Sequence, residues 1–246
     1  MRRFGLIGKN ISYSFSESYF RSKFEREDIK DATYQNFDIQ NISEFTNIIS
    51  KTNNLKGLNV TIPYKEQVIP FLDKLNKKAK EIGAVNTIKI NKDGKLIGYN
   101  TDCYGFKKSL KPLLKSNHKK AIILGTGGAS KAVAFTLMEL EIDYIYVSRK
   151  PSELTKITYD NLTEDLIKTH HIIINCSPVG TFPNIEQSPN IPYQAITSNH
   201  ILYDLIYNPE ETKFLKLGKQ NGATTINGLQ MLKLQAEKAW NIWNKD

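Results

Sequence analysis

Short apolar runs alternate with longer stretches of helical period along most of the chain. Apolar runs of roughly four to eight residues, bounded by Gly, Pro, Asn or Asp, are typical of buried strands. The runs predicted as strands are Arg3–Gly8, Thr33–Ile39, Leu55–Ile62, Val85–Ile90, Leu96–Tyr99, Ala121–Leu124, Tyr144–Val147, His171–Asn175, Ile201–Leu205 and Ala223–Ile226. The stretches predicted as helices are Glu17–Glu27, Ile42–Ser50, Phe71–Ile82, Asp102–Leu114, Ala129–Leu140, Asn161–Lys168, Thr212–Asn221 and Gly228–Trp243. This alternation predicts an α/β fold.

The polar segment Lys115–Lys119 separates two such series of strands and helices. We therefore expect two domains, and a length of 246 residues allows for them. The first is an N-terminal α/β domain at 1–114, to which an amphipathic C-terminal helix at 227–246 returns. The second is a doubly wound Rossmann-type domain at 115–226.

A glycine-rich turn lies between a predicted strand and a predicted helix, at Gly125-Thr126-Gly127-Gly128. Gly125 allows the tight turn, Gly127 lets a pyrophosphate approach the backbone, and the N–H groups that begin the helix face the anion. A bare turn is the alternative reading of a glycine pair alone. The strand–turn–helix context favours a dinucleotide site.

The residues after the next strand discriminate between dinucleotides. An NAD site places a carboxylate there, about 20 residues past the glycines, to bind the ribose 2′-OH. This chain has Ser148, Arg149 and Lys150 instead. A guanidinium can bind a 2′-phosphate bidentately and stack on adenine, so the sequence favours NADP over NAD. Solvated basic residues at a strand end are the alternative.

Composition and charge change this picture little. With 40% hydrophobic and 24% charged residues, the chain has the composition of an ordinary globular protein. The net charge of +9 is dispersed, and no Lys/Arg block is long enough for a nucleic-acid-binding arm. Neither a membrane span nor a signal peptide is evident, and Cys103 and Cys176 have no disulfide-framework spacing. We therefore expect a cytoplasmic protein with reduced thiols.

Polar side chains mark three predicted strands of the N-terminal domain. Asn59 and Thr61 alternate with apolar neighbours, and the turn at Pro63 presents Lys65 just past the strand end. Other polar clusters are Asn86-Thr87 and Asn100-Thr101-Asp102. Buried Asn and Asp side chains need partners, so these clusters predict one polar pocket. Capping of the following helix by Asn100 or Asp102 is the competing account.

Other catalytic constellations are missing from the sequence. The histidines His118, His170, His171 and His200 have no metal-ligand spacing, and no HExxH motif is present. No GxSxG nucleophile elbow occurs, and Cys176 has no sign of activation as a nucleophile. We predict no metal site.

The motifs together resemble those of the shikimate dehydrogenase family over essentially the whole chain. Several of them occur in the family's order, which makes chance similarity very improbable. They are Ser14-Phe15-Ser16, NVTIPYK at Asn59–Lys65, GAVNT at Gly83–Thr87, NTD at Asn100–Asp102, GTGGAS at Gly125–Ser130, NCSPVG at Asn175–Gly180, DLIYNP at Asp204–Pro209 and NGLQML with Gln235 at Asn227–Gln235.

The resemblance implies NADP-dependent, reversible interconversion of shikimate and 3-dehydroshikimate in aromatic amino-acid biosynthesis, by a monomer or homodimer. It implies that Lys65 and Asp102 are the catalytic pair. The substrate carboxylate would be bound by Ser14, Ser16 and Tyr207, and the substrate hydroxyls by Thr61, Asn86, Asp102 and Gln235. The cofactor residues so implied, together with the cations discussed above, are Gly125, Thr126, Gly127, Gly128, Ala129, Ser130, Ser148, Arg149, Lys150, Leu205 and Gly228.

Two motifs depart from the family pattern. The first usually runs G-x-P-I-x-H-S-x-S-P, whereas Gly8–Glu17 here reads GKNISYSFSE, without either proline or the histidine. Both serines are kept, but the carboxylate loop can differ in shape. The second departure is Ser148-Arg149-Lys150 in place of Asn-Arg-Thr. It keeps the arginine and leaves open how strongly NADP is preferred.

Three alternatives remain on sequence grounds. A related enzyme could accept quinate as well as shikimate. A methylene-tetrahydrofolate dehydrogenase has a similar two-domain plan, but the Ser14/Ser16 and NTD motifs argue against it. The third alternative is a non-catalytic ligand-binding or regulatory module, and the presence of both Lys65 and Asp102 argues against that.

Overall fold

The computed structural model describes residues 1–12, 14–151 and 157–245. Internal packing divides them into two compact units. The N-terminal unit consists of Met1–Thr101 with the chain from Gln235 onward, and the central unit is Asp102–Leu234. Each unit is an α/β structure built around its own sheet.

The N-terminal unit carries a mixed sheet with strand order β2-β1-β3-β5-β6-β4. β2 and β3 pair parallel with β1, while β5 pairs antiparallel with both β3 and β6. The elements are β1 Arg2–Gly8, α1 Phe15–Arg26, β2 Ala32–Asp38, α2 Phe45–Lys51, β3 Leu55–Val60, α3 Tyr64–Gln67, β4 Lys74–Leu75, α4 Lys77–Ile82, β5 Thr87–Ile90 and β6 Leu96–Tyr99.

Alternation along β1 supplies both hydrophobic layers of this unit. Ile7 belongs to one buried cluster, with Leu58 and Ile88, and that cluster is completed by side chains near α2, α3 and α4. Phe4 belongs to a second cluster, in which Phe20 of α1 packs with Trp243 of the last helix. The sheet is therefore covered on both faces.

The central unit contains a parallel sheet with strand order β12-β11-β10-β7-β8-β9. The chain moves outward from β7 first to one side and then to the other, as in a doubly wound sheet. The elements are α5 Asp102–Leu110, β7 Lys120–Leu124, α6 Gly128–Glu139, β8 Asp143–Ser148, β9 Ile157–Thr158, α7 Glu164–Thr169, β10 Ile172–Asn175, β11 Ile201–Asp204, α8 Lys213–Gln220, β12 Thr224–Ile226 and α9 Leu229–Asn244.

Helices cover both faces of this parallel sheet. Ile123 of β7 packs in one cluster with Phe106 of α5 and Val133 of α6. The adjacent Ile122 packs in the other cluster, with Ile167 of α7 and Phe214 of α8. The continuous apolar character of β7 follows from this burial on both sides. The α/β class and the Rossmann-type parallel sheet are as the sequence predicts.

One predicted helix is interrupted, and two short strands, β4 and β9, were not predicted. The helix predicted over Phe71–Ile82 is interrupted, because Lys74–Leu75 pairs with β6 and the helix begins only at Lys77. The Asn76 side chain accepts hydrogen bonds from the N–H groups of Lys78 and Ala79 and so caps α4. The short strand β9 has no counterpart among the predicted strands.

The chain passes between the units after Thr101 and again after Leu234, inside α9. The predicted domain boundaries, near 114 and 226, do not coincide with these two points. They remain a prediction of where the domains of the protein begin and end. Helix α5 belongs to the central unit. There its residues Phe106 and Leu110 pack against Ala121 and Ile123 of β7. The end of α9 belongs to the N-terminal unit.

Candidate active site

The glycine turn after β7 is fixed against its neighbouring strands. The Gly125 N–H donates to the Val147 carbonyl of β8 at 2.8 Å. Gly125 has φ +101°, and a Cβ there would lie 3.3 Å from backbone atoms of Cys176 and Ser177. The left-handed backbone strains any residue other than glycine, and the close approach adds to this preference.

Gly127 leaves open space above the start of α6. A Cβ built on Gly127 would meet no atom within 4 Å, and its φ of −71° puts no strain on the backbone. Among the described residues, no side chain caps this helix through its N-terminal N–H groups. Ser130 is buried instead, with its hydroxyl donating to the Gly127 carbonyl at 2.7 Å. The turn thus offers N–H donors and room for an anion, which fits a dinucleotide pyrophosphate.

The other predicted cofactor residues lie at the same edge of the central sheet. Because the strands are parallel, the segments that follow β7, β8, β10, β11 and β12 all emerge at their carboxyl ends. The Leu205 N–H donates to the Asn175 carbonyl at 3.0 Å, and the Gly228 N–H donates to the Ile206 carbonyl at 2.9 Å. A Cβ on Gly228 would lie 2.1 Å from the Leu205 oxygen, so this close approach also requires glycine.

The basic segment after β8, Ser148–Lys150, lies at the surface, where its cations are accessible to a phosphate group. Arg149 and Lys150 are exposed, while Ser148 is half-buried and its hydroxyl donates to the Lys150 carbonyl. Burial raises the pKa of Tyr159, and the Arg149 charge is among the groups that oppose this rise. Arg149 therefore lies near a phenol and presents its guanidinium to solvent at the carboxyl edge.

A buried carboxylate organises the loop that follows β11. Asp204 accepts hydrogen bonds from the Thr212 hydroxyl at 2.6 Å, the Ile206 N–H at 3.0 Å and the Asn175 amide at 3.1 Å. Burial raises the pKa of Asp204 to about 6, and these hydrogen bonds oppose that rise. The segment Leu205–Tyr207 thus begins at a carboxylate that three hydrogen bonds hold in place. The DLIYNP motif includes Asp204 but does not indicate this structural role.

In the N-terminal unit, the end of β3 presents the predicted acid/base residue. The Thr61 N–H donates to the Ile7 carbonyl at 2.8 Å, and the Thr61 carbonyl accepts from Tyr64 at 2.9 Å. Lys65 lies in α3, and its carbonyl accepts the Val85 N–H at 2.7 Å. The Lys65 backbone is therefore held beside the segment that leads into β5, next to Asn86.

Four of the polar residues predicted to share a pocket contact one another within this unit, namely Asn59, Asn86, Thr87 and Thr101. The Asn59 amide donates to Thr87 at 3.3 Å, and the Thr87 hydroxyl donates to the Asn86 carboxamide oxygen at 3.1 Å. Asn86 and Thr101 both contact Gln235 of α9, each at 3.3 Å. Sequence patterns could not place Gln235 here, since it lies far along the chain; only the family resemblance indicated it.

The two predicted carboxylate-binding serines lie at the start of α1. Ser14 is the N-cap residue, and its hydroxyl accepts the Ser16 N–H at 3.2 Å. Ser16 is buried in the first turn. Tyr13, which replaces the histidine of the family pattern, lies outside the described residues. Ser14 already has a structural role as the cap of α1, and both serines lie at a helix start, where negative charge is favoured.

The predicted site residues are thus distributed over both units. Lys65 and the substrate residues Ser14, Ser16, Thr61, Asn86 and Gln235 belong to the N-terminal unit. Asp102, Tyr207 and the predicted cofactor residues belong to the central unit. Asp102 is buried at the first position of α5, and Tyr207 follows the loop organised by Asp204.

Burial changes the pKa of one cysteine, Cys176, and of the histidines His118 and His200. Burial raises the pKa of the Cys176 thiol, the opposite of an activated nucleophile. Burial lowers the pKa of His118 and His200, whose ring nitrogens contact backbone groups. Within 1–12, 14–151 and 157–245, no three His, Cys, Asp or Glu side chains form a group that could hold a metal ion. Of the helices described, none has the length and apolar character to cross a bilayer.

The central unit has a parallel sheet with a glycine cradle, and the N-terminal unit is an α/β structure rich in buried polar side chains. This combination is typical of the class of two-unit, dinucleotide-binding dehydrogenases. Comparison with known proteins narrows this class. Residues 6–88 match the family model described as the shikimate dehydrogenase substrate binding domain. A shikimate dehydrogenase (NADP(+)) of Clostridium botulinum is 39% identical over 249 residues, covering 97% of this chain and 95% of that protein.

Solved structures agree with this result. A shikimate dehydrogenase of Peptoclostridium difficile superposes with a TM-score of 0.85 at 40% identity, covering 99% of this chain and 91% of that one. The Thermus thermophilus enzyme, solved in complex with NADP(H) and shikimate, gives a TM-score of 0.87 at 28% identity, covering 99% and 94%. The chain belongs to the shikimate dehydrogenase family.

Proposed function

We propose that the protein catalyses the reversible, NADP-dependent reduction of 3-dehydroshikimate to shikimate in aromatic amino-acid biosynthesis. The observation that carries the proposal is 39% identity, across 97% of the chain, to a relative named for this reaction. The glycine cradle and the exposed Arg149 support the cofactor half of the reaction. The buried polar cluster around Asn86 supports a polyhydroxylated substrate.

NADP would supply the hydride acceptor, leaving the protein to bind, orient and manage protons. In the oxidation direction, Lys65 Nζ as an amine would accept the proton of the reacting hydroxyl. In the reduction direction, the ammonium would return it to the developing alkoxide. Asp102 would orient the hydroxyl and the lysine.

The substrate would be held by its two chemically distinct ends. Ser14, Ser16 and Tyr207 would donate hydrogen bonds to the carboxylate, and Ser14 and Ser16 lie where a helix start favours negative charge. Thr61, Asn86 and Gln235 would bind the hydroxyls. Within the N-terminal unit, Asn86 and Gln235 are in direct contact, which supports their acting together.

A spectrophotometric assay tests the function directly. We expect the purified protein to reduce NADP when shikimate is added, with quinate compared as substrate in a parallel reaction. Faster turnover of quinate would assign the broader quinate/shikimate specificity instead. Absence of NADP reduction with either substrate, in a protein shown to be folded, would leave a non-catalytic ligand-binding role and overturn the proposal.

The cofactor preference is tested at Arg149. We expect Arg149→Ala to raise the KM for NADP by about 10- to 100-fold, since it removes a charge-assisted contact to the 2′-phosphate. The KM for NAD, which lacks that phosphate, should change by less than about twofold. Lys120→Ala, at the amino end of β7, is the control for loss of an exposed cation. Equal losses for NADP and NAD would mean that Arg149 makes no 2′-phosphate contact.

A further inference from the structure

The side chain of Thr101 lies at the centre of the buried polar cluster of the N-terminal unit. It is only 1% exposed. Its hydroxyl oxygen lies 3.0 Å from the Asn86 amide nitrogen, 3.1 Å from the Thr87 hydroxyl and 3.3 Å from the Gln235 carboxamide oxygen. A side chain so enclosed cannot itself reach a ligand, but it contacts two residues that the proposed function assigns to the substrate.

The orientations of both carboxamides follow from one main-chain donor. The Thr101 N–H lies 2.7 Å from Asn86, and because a main-chain N–H can only donate, the atom facing it is the Asn86 oxygen. The Asn86 nitrogen is then the atom that donates to Gln235 at 3.3 Å, so Gln235 must present its oxygen there. The nitrogen of the Gln235 carboxamide is consequently directed away from Thr101.

The hydroxyl of Thr101 completes this arrangement. A hydroxyl can accept and donate at once, so it can accept from the Asn86 nitrogen and donate to the Gln235 oxygen. Two donors then converge on the Gln235 oxygen, which disfavours a flip of the carboxamide. Thr87 also stabilises Asn86 by donating to its oxygen at 3.1 Å.

We propose that Thr101 is a positioning residue that fixes the carboxamides of Asn86 and Gln235 so that Gln235 presents N–H donors to the substrate hydroxyls. The inference rests on the proposed function for the identity of the substrate. Thr101 does not touch the reacting atoms in this proposal. Its loss should therefore weaken substrate binding while leaving the chemical step nearly intact.

The test compares Thr101→Val with Thr101→Ser. Valine keeps the shape and the main-chain N–H but removes the hydroxyl, so we expect the KM for shikimate to rise about 3- to 30-fold. The value of kcat should change by less than about twofold, and the KM for NADP should not change. Serine restores the hydroxyl and should return the KM to within about twofold of the wild-type value.

A matched control is available in Thr136. It is fully buried, and its hydroxyl donates to the Ala132 carbonyl within α6 at 2.8 Å. Thr136→Val should lower Tm to a similar degree as Thr101→Val without changing the KM for shikimate. Should Thr101→Val fail to fold, Thr101→Ala carries the same comparison. An equal KM for the Thr101 variants, Thr136→Val and the wild type would overturn the proposal.

A second readout separates this proposal from the proposed function. In ¹⁵N spectra, the side-chain NH₂ resonances of Asn86 and Gln235 should shift or broaden in Thr101→Val and stay in place in Thr101→Ser and Thr136→Val. This readout needs no turnover. If the wild type fails to oxidise shikimate but the resonances respond as expected, the proposed function fails while the positioning role stands. Unchanged resonances in Thr101→Val would refute the positioning role whatever the substrate.

Discussion

Lys65→Ala is expected to lower kcat for shikimate oxidation by about 10²- to 10⁴-fold with the KM nearly unchanged. This range is what a positioned acid/base group contributes to the rate. Removing an interaction made only in the transition state lowers kcat and kcat/KM together. The backbone of Lys65 is held by the Val85 N–H, so alanine should leave the turn after β3 intact.

The control for Lys65→Ala is an exposed lysine on β3, the strand that precedes α3. Lys56 lies in β3 at the opposite end and is exposed. Lys56→Ala should retain the wild-type kcat and KM, and the two variants should have similar Tm values. Wild-type turnover by Lys65→Ala would remove Lys65 from the mechanism, and a rise in KM with unchanged kcat would make it a binding residue only.

The strand–glycine–helix segment was predictable because its determinants are local. The sequence predicts a strand over Ala121–Leu124 and a helix over Ala129–Leu140, and the structure has Lys120–Leu124 and Gly128–Glu139. A buried apolar run, a left-handed glycine and a helical period all lie within about 20 residues of each other. No long-range contact is needed to specify them.

The segment around Pro70 could not be predicted because a long-range pairing decides it. Lys74 pairs with Ile97, and Asp73 accepts the Leu96 N–H at 2.7 Å, so this part of the chain is extended. Lys77–Ile82 alone keeps the predicted helix. Asn76 was a usable signal, since Asn is a favoured N-cap and here begins α4.

The sequence indicated several residues of the candidate site, but it could not indicate which of them form hydrogen bonds with one another. Alternation of polar and apolar residues at the end of β3 indicated Asn59 and Thr61, and Asn59 does belong to the hydrogen-bonded cluster that includes Asn86. Thr101 was seen only as part of a polar triplet, because nothing local indicates that its hydroxyl meets a helix from the end of the chain. The roles of these residues remain predictions that the variants above would test.

Trp243→Ala is expected to reduce the free energy of unfolding of the N-terminal unit by about 3–5 kcal/mol. The indole is 6% exposed, stacks on Phe4 with ring centroids 4.9 Å apart, and donates its N–H to the Ile88 carbonyl at 2.9 Å. Gly57 of β3 accommodates it, since a Cβ there would lie 2.2 Å from the indole nitrogen. Alanine would leave a cavity and a buried carbonyl without its donor.

The measurement uses the only other tryptophan of the chain as both probe and control. The sequence has two tryptophans, and Trp240, in the same helix, is half-buried. Both tryptophans lie in the N-terminal unit. The fluorescence of the tryptophan that remains in each variant therefore reports the urea unfolding of this unit alone. The unfolding of the two units is then not analysed as a single transition. Trp240→Ala should lower the midpoint less than Trp243→Ala does, since its ring buries less surface. Equal urea midpoints for the two variants would show that Trp243 does not anchor the last turn of α9. The position of Gln235 on this helix would then have to be fixed by other contacts.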